Sequence, residues 1–159
     1  MDIYCNENHN MVRKSVRDFA EKVIKPLAQK LDQNEEFSPE ITKQMGEIGL
    51  MGMVVPEKFG GGGMDCLSYI IAVEELARVD GSQAATIAAH NSLGIGPILN
   101  FGKKEKKEQY LPMLCTGDKL WAFGLTESNA GSDSRASTTR AKLIDEHWHI
   151  NGAKIFITN

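Results

Sequence analysis

Between Glu7 and Leu31 the apolar residues Val12, Val16, Phe19, Ala20, Val23, Ile24, Leu27 and Leu31 recur at steps of three and four. That spacing predicts one long amphipathic helix. Pro26 is expected to kink it, since proline removes a helical donor and crowds the preceding turn. A second helix should start at Ser38 as cap, with Pro39 first and Glu40 in the opening turn, and run through Ile41, Met45 and Ile48 to a stop at Gly49. Met51 to Pro56 reads as extended and buried, and Gly60 to Gly63 as a flexible turn. Asp65 then caps a helix expected to face Leu67, Ile70, Ile71, Leu76 and Ala77 inward, leaving Glu74, Glu75 and Arg78 for water. From Ser82 a further helix is apolar nearly all round, which predicts a central position, and a shorter one follows Lys103 and ends near Pro112.

After about Gly117 the period changes. Leu120 to Leu125, Thr138 to Ile144, His147 to Ile150 and Ala153 to Thr158 alternate and favour β residues. The reading is therefore mainly α: a helical domain over 1–117 and the start of a β-domain over 118–159. Asn151-Gly152, between the last two runs, suits a two-residue type I′ hairpin turn. A few strands without a covering layer imply a β-domain that needs more chain, hence the expectation of a truncated protein.

Apolar residues make up 42% and charged ones 25% of 159 residues, as in ordinary globular domains. A net charge of −3 argues against a nucleic-acid face, and the lysines at 103, 104, 106 and 107 alternate with Glu105 and Glu108 as on a solvated helix. Cys5, Cys66 and Cys115 lie far apart, so neither a disulfide framework nor a metal site is expected. Polar residues and Pro97 interrupt the stretch from Ala84 to Phe101, which excludes it as a membrane span. The first residues resemble no signal or transit peptide, and an intracellular setting is expected.

Four features invite chemistry and have plainer explanations. His90 lies on an apolar helix without a cysteine or carboxylate at catalytic spacing, so a core histidine is the better reading. Adjacent Glu74 and Glu75 point in different directions on a helix and form no dyad; a solvated face or a salt bridge to Arg78 accounts for them. His147 and His149 share a strand face without a third ligand. Gly60 to Gly63 has no following Lys-Ser or Lys-Thr and is a turn.

The segment Ala122 to Asp133 passes from a strand into a loop of small and polar residues. Main-chain N–H groups in such a loop can converge on a phosphate, with hydroxyls at Thr126 and Ser132 for a ligand's polar edge, but the same composition makes ordinary turns. Gly124-Leu-Thr-Glu-x-x-Ala-Gly-Ser-Asp133 resembles a signature of the acyl-CoA dehydrogenase family. Ile150-Asn-Gly-Ala-Lys-Ile-Phe-Ile-Thr-Asn159 is similar to that family's second flavin-contacting hairpin. Upstream, Ala72-Val-Glu-Glu-Leu-Ala77, Asn91-Ser-Leu-Gly94, Gly96 to Gly102 and Thr116-Gly-Asp-Lys119 are similar to its amino-terminal helical bundle, so the resemblance covers essentially the whole chain.

The resemblance implies FAD as cofactor. It sets Phe123, Leu125 and Thr126 against the isoalloxazine ring, Gly131 and Ser132 near the flavin phosphates, and Phe156, Ile157 and Thr158 in a second group near the ring. Relatives often carry tryptophan where Phe156 stands and proline where Ser128 stands. The acyl pocket would draw on Ala85, Ala88 and Ala89 of the central helix, with Ser132 also near the substrate, although small residues equally serve close helix packing. Gly96-Pro-Ile-Leu-Asn-Phe-Gly102 looks most like the short-chain, butyryl-type branch.

The implied reaction is α,β-dehydrogenation of an acyl-CoA thioester, with electrons passing to an electron-transfer flavoprotein. The family's base is a glutamate of a later helical domain, so no catalytic residue is assigned and this chain is expected to be catalytically incomplete. The full-length form is expected to be a homotetramer, in the bacterial cytoplasm or, for a eukaryotic mature chain, the mitochondrial matrix. An acyl-CoA oxidase-like enzyme and a non-catalytic helical interaction module of the same ancestry stay open as alternatives.

Overall fold

The computed structural model describes residues 5–159. The chain divides into a helical unit that runs to Trp121 and takes in Asn159, and a smaller unit, Ala122–Thr158.

In the helical unit, α1 (Glu7–Phe19) opens on a reciprocal cap. Asn6 Oδ1 accepts the His9 N–H at 2.9 Å, and His9 Nδ1 accepts the Asn6 N–H at 3.1 Å. The remaining ring nitrogen of His9 then carries the hydrogen and donates to Asp65 Oδ2 at 2.9 Å. Asp65 in turn caps α4 (Cys66–Ala77) by accepting the Ser68 N–H at 2.7 Å, so one chain of bonds fixes the starts of both helices. The helical path continues from α1 through a π turn, Ala20–Ile24, into α2 (Lys25–Asn34). Pro26 has no N–H for the turn before it, and the backbone widens by one residue immediately upstream, with the Lys25 N–H reaching Ala20 O. Ser38 caps α3 (Pro39–Glu47), and Gly49 follows its end in the left-handed region at φ +82°.

Met51 to Pro56 is buried as expected but not extended: Leu50–Gly52 forms a 3₁₀ turn and the chain bends again at Glu57–Phe59. The cause lies elsewhere in the sequence. Asn91 is buried; its Nδ2 donates to Leu50 O at 2.8 Å and Ile87 O at 3.0 Å, and its Oδ1 accepts the Met53 N–H at 3.1 Å. A side-chain amide here takes the place of a strand partner.

The central helix is capped by Asp80, not Ser82, and runs as α5 (Gly81–Ala88), a π segment (Ala89–Ile95) and α6 (Gly96–Phe101). The last helix, α7 (Lys104–Cys115), carries Pro112 inside it and does not end there, because Leu114 and Cys115 continue into a core with Val55, Ile95 and Leu111. The larger core joins Val16 and Ala20 of the first helical run to Ile41, Met45, Ala72, Leu76 and Ile87, among others. Each large apolar side chain fully buried there contributes on the order of 1.5–3 kcal/mol. His90, fully buried, bridges these parts: Nε2 lies 2.9 Å from Leu114 O and Nδ1 accepts the Trp121 N–H at 3.2 Å. Those partners require the neutral Nε2–H tautomer, and burial lowers the imidazole pKa further.

The inward face of α4 differs from the expectation. Ile71, Ala72 and Leu76 are buried, but Leu67 and Ile70 are 37% and 51% exposed, Ala77 is exposed, and Glu75 is 1% exposed. Glu75 Oε1 accepts from Arg13 Nη1 and Arg17 Nη2, both at 2.8 Å; its Oε2 accepts from Arg17 Nε at 2.9 Å and Arg78 Nη1 at 2.8 Å. Glu74 remains at the surface and takes the Arg13 guanidinium at 2.8 Å. The Arg17 fork, then Arg78 and Arg13, hold the Glu75 carboxyl down at about 2 from an ordinary 4.5, against the opposing effect of burial.

In the smaller unit, β1 (Arg140–Ile144) and β2 (His147–Asn151) pair antiparallel, Lys142 opposite His149. The two-residue turn is Asp145-Glu146, at φ +49° and +61°, rather than Asn151-Gly152. Positive φ at both positions is the primed geometry whose twist matches a hairpin; Asp145 tolerates it, and the strand pairing imposes it on Glu146, which does not favour it. Leu120 to Leu125 and Ala153 to Thr158 form no strands.

Because Glu75 is held deprotonated in the native state, its contribution is complete above pH 4.5 and is lost as pH falls toward about 2. Glu75→Gln, which leaves Arg17 and Arg78 without a carboxylate and Arg13 with Glu74 alone, is expected to cost about 3 kcal/mol or more at neutral pH. Urea unfolding followed across acid pH should also show a shallower loss of stability between those two values in the variant; an unchanged acid limb would sink the assignment.

Candidate functional site

The loop from Ala122 to Asp133 and the segment from Gly152 to Thr158 are brought together within the smaller unit. Ile155 N–H donates to Thr126 O at 2.9 Å, and Lys154 Nζ donates to Leu125 O at 2.9 Å and Glu127 Oε1 at 2.8 Å. Two segments bonded through residues 27 to 29 apart in the chain thus share one edge, with Lys154 crossing between them.

Glu127 is the organising group. The residue is 4% exposed, and Oε2 accepts the Thr138 N–H at 2.7 Å and Thr138 Oγ1–H at 2.8 Å, while Oε1 accepts the Thr139 N–H at 3.0 Å in addition to Lys154. The Lys154 ammonium first, then the donors of Thr139 and Thr138, push its pKa far below the usual carboxylate range. Main-chain bonds between Glu127 and Ala130, in both directions at 3.0 and 3.1 Å, close the loop tightly over Ser128 and Asn129.

The side chains that the resemblance assigned to the ring stand outward from this frame. Phe123 and Leu125 are 47% and 43% exposed, Phe156 is 89% exposed at φ +55°, Thr126 and Ile157 are half-buried, and Thr158 is exposed. Gly131 and Ser132 are exposed, a Cβ at Gly131 would meet nothing within 4 Å, and among the described residues no group accepts from either N–H. Unspent main-chain donors beside a hydroxyl fit a phosphate, and exposed aromatic and aliphatic edges fit an apolar ring, so the residues present suit a flavin. In the helical unit, Ala85 is exposed, and Ala88 and Ala89 are half-buried on either side of the change from α to π geometry. Three clefts of about 580, 650 and 530 Å³ open on the two units, and none is lined by an assigned residue.

A profile of the acyl-CoA dehydrogenase N-terminal domain matches residues 6–118. The chain belongs to the acyl-CoA dehydrogenase family. Among its relatives, the short-chain specific acyl-CoA dehydrogenase of Clostridium acetobutylicum is 47% identical over all of this chain and 42% of its own length. The mitochondrial short-chain specific acyl-CoA dehydrogenase of Bos taurus is 44% identical over 96% of this chain and 37% of its own. A crystal structure of an acyl-CoA dehydrogenase from Bacillus anthracis complexed with FAD superposes with a TM-score of 0.93 at 41% identity, covering 98% of this chain and 27% of that one. The chain spans about two fifths of the length of the curated relatives it matches.

Lys154 and the threonines at 138 and 139 went unnoticed in the sequence reading. The signal that could have found them is Glu127 itself, since a glutamate inside a loop of small residues must be paired if it is buried. Glu127→Gln, which weakens the bond to Lys154, is expected to speed amide hydrogen exchange at Thr138 and Thr139 while leaving α1 and α4 unchanged. Equal protection in the two proteins would show that the carboxylate does not organise the loop.

Proposed function

We propose that this chain forms the amino-terminal helical domain (1–117) and the opening of the middle β-domain (118–159) of an FAD-dependent dehydrogenase that oxidises a short-chain acyl-CoA thioester. The observation that carries this reading is the pairing of two family segments through Lys154 and Ile155, which leaves Phe123, Leu125, Phe156 and the N–H groups of Gly131 and Ser132 unengaged. Short-chain specificity is supported by the Clostridium and bovine relatives, both short-chain specific acyl-CoA dehydrogenases.

In this proposal a carboxylate removes the α-proton of the thioester, and the β-hydrogen departs with its electron pair, so that a carbon–carbon double bond forms. FAD, when bound, supplies the hydride acceptor. The chain's own part is to bind and orient. Phe123, Leu125, Phe156 and Ile157 shield the reacting face from water; Thr126 and Thr158 offer hydroxyls to the ring's polar edge; Gly131 and Ser132 give donors to phosphate. Ala85, Ala88 and Ala89 leave room for a short acyl tail, and Ser132 also lies near the substrate.

The base comes from outside these residues in this reading. Among the described residues the buried carboxylates, Glu75 and Glu127, are already held by several donors and are kept deprotonated, which makes them poor proton acceptors. The electron acceptor is an electron-transfer flavoprotein, the full-length assembly a homotetramer, and the compartment the bacterial cytoplasm or the mitochondrial matrix. No helix among the described residues is long and apolar enough to cross a membrane.

Purified chain supplied with FAD and then butyryl-CoA without oxygen is expected to show no bleaching of flavin absorbance; bleaching would mean that the 159 residues hold a complete site. In a polypeptide extended to the length of the relatives, bleaching is expected, and Ser132→Ala should weaken FAD retention about tenfold through loss of a bond to a charged group. Unaltered FAD affinity there would remove Ser132 from the phosphate site. Rapid reoxidation of the reduced flavin by oxygen would favour an oxidase.

A further inference from the structure

A cleft of about 650 Å³ opens on the helical unit between the end of α2 and the start of α5. Its lining includes four carboxylate residues, Asp32, Glu35, Glu36 and Asp80, and no lysine, arginine or histidine. Asp80 is committed in part, since its Oδ1 accepts from the N–H groups of Ser82 and Gln83 and from the Ser82 hydroxyl. Asp32, Glu35 and Glu36 pair with no cation among the described residues.

Acidic residues at a helix end are common on solvated surfaces and would mean little alone. Gln83, however, also lines the cleft, is 3% exposed, and its Oε1 is buried without a hydrogen-bond partner. A buried amide oxygen without a donor is destabilising, because its desolvation is not offset. Among the described residues one other buried side-chain oxygen, Thr139 Oγ1 in the smaller unit, also lacks a partner, and it does not line this cleft. Gln83 is thus a residue of the cleft wall whose acceptor is left unused by the chain itself.

The surroundings specify a fitting donor. Negative charge on the rim calls for a cation, and Leu31, Phe37 and Val79 give the cleft an apolar wall, Phe37 being 53% exposed. An aliphatic stem along such a wall with a charged head among carboxylates is how a long basic side chain buries itself. A planar guanidinium can in addition stack on Phe37 and divide its five N–H donors between carboxylates and the Gln83 oxygen. A metal ion fits less well, since no group of three potential ligands lies close enough to hold one among the described residues.

We propose that this cleft receives the guanidinium of an arginine side chain carried by a polypeptide partner. None of the residues assigned above to flavin or acyl chain lines the cleft, so the inference stands apart from the proposed reaction.

The test is an NMR titration of the 159-residue chain with N-acetyl-arginine amide, read at the Gln83 side-chain amide and the Glu36 backbone amide. N-acetyl-citrulline amide, of the same shape without the charge, and spermidine, a cation without the planar fork, serve as comparisons. Saturable shifts are expected with the arginine probe, at least about threefold weaker with either comparison. Glu36→Gln, at the surface, should weaken the arginine probe about twofold to fivefold, the range of an exposed ion pair. Gln83→Leu should weaken it about threefold or more while leaving the melting temperature unchanged or higher, because an unpaired amide is removed. Equal response to citrulline, tighter binding of spermidine, shifts that miss Gln83, or undiminished binding by both variants would each overturn the proposal. If Gln83→Leu does not fold, the citrulline comparison and Glu36→Gln decide it.

Discussion

Glu75 sits at the point where α1, α4 and the end of α4 at Arg78 must agree, and its carboxylate accepts four N–H bonds from three arginines. A charge with no exposed side-chain surface is tolerable only with such complete compensation, since an unpaired one would cost several kcal/mol. The requirement fixes rotation as well as position. Turning α4 so that Glu75 faces Arg13 and Arg17 carries Ile71, Ala72 and Leu76 into the core and leaves Leu67 and Ile70 at the surface. The helical unit can be viewed as built outward from that constraint.

The same economy recurs at smaller scale. Asn91 closes two main-chain groups at Leu50 and Met53 and a third at Ile87, His90 joins Leu114 to Trp121, and Glu127 with Lys154 gathers the two segments of the smaller unit. Each is a buried polar side chain that ties main-chain groups of separate segments together. Where irregular chain must be held in place, these groups do it, and in the smaller unit this frees aromatic and aliphatic residues to face outward. The outward face is what a flavin-binding role needs.

Much of the framework was legible in the residues. The three-and-four spacing from Val12 to Leu31, the Ser38-Pro39 start and the Asp65 cap all appear where the pattern put them, because caps and amphipathic periods are local and their physics acts within a few residues. The family motifs were equally legible: the profile match to residues 6–118 spans those from Ala72 to Gly102, and the Clostridium relative is 47% identical over the whole chain. Assigning roles to Phe123 or Ser132 drew on resemblance, since a loop of small polar residues is chemically ambiguous.

Several outcomes needed the folded chain. Glu75 read as part of a solvated face or as a partner of Arg78; the Arg78 bond is present, but the arginines of α1 also meet it, and nothing within α4 announces a partner some sixty residues away. Met51 to Pro56 looked like a strand because burial of apolar residues is shared by strands and by tight turns, and only Asn91 decided between them. Asn151-Gly152 was the better turn by composition, yet register placed the turn at Asp145-Glu146, where pairing from Arg140 to Asn151 outweighs two unfavourable φ angles. By itself, the sequence determined the helices, their caps and the kinship; the tertiary structure decided which charges are buried, which face of each helix turns inward and which residues are left for a ligand. The first set depends on neighbours in the chain, and the second on groups that become neighbours only when it folds.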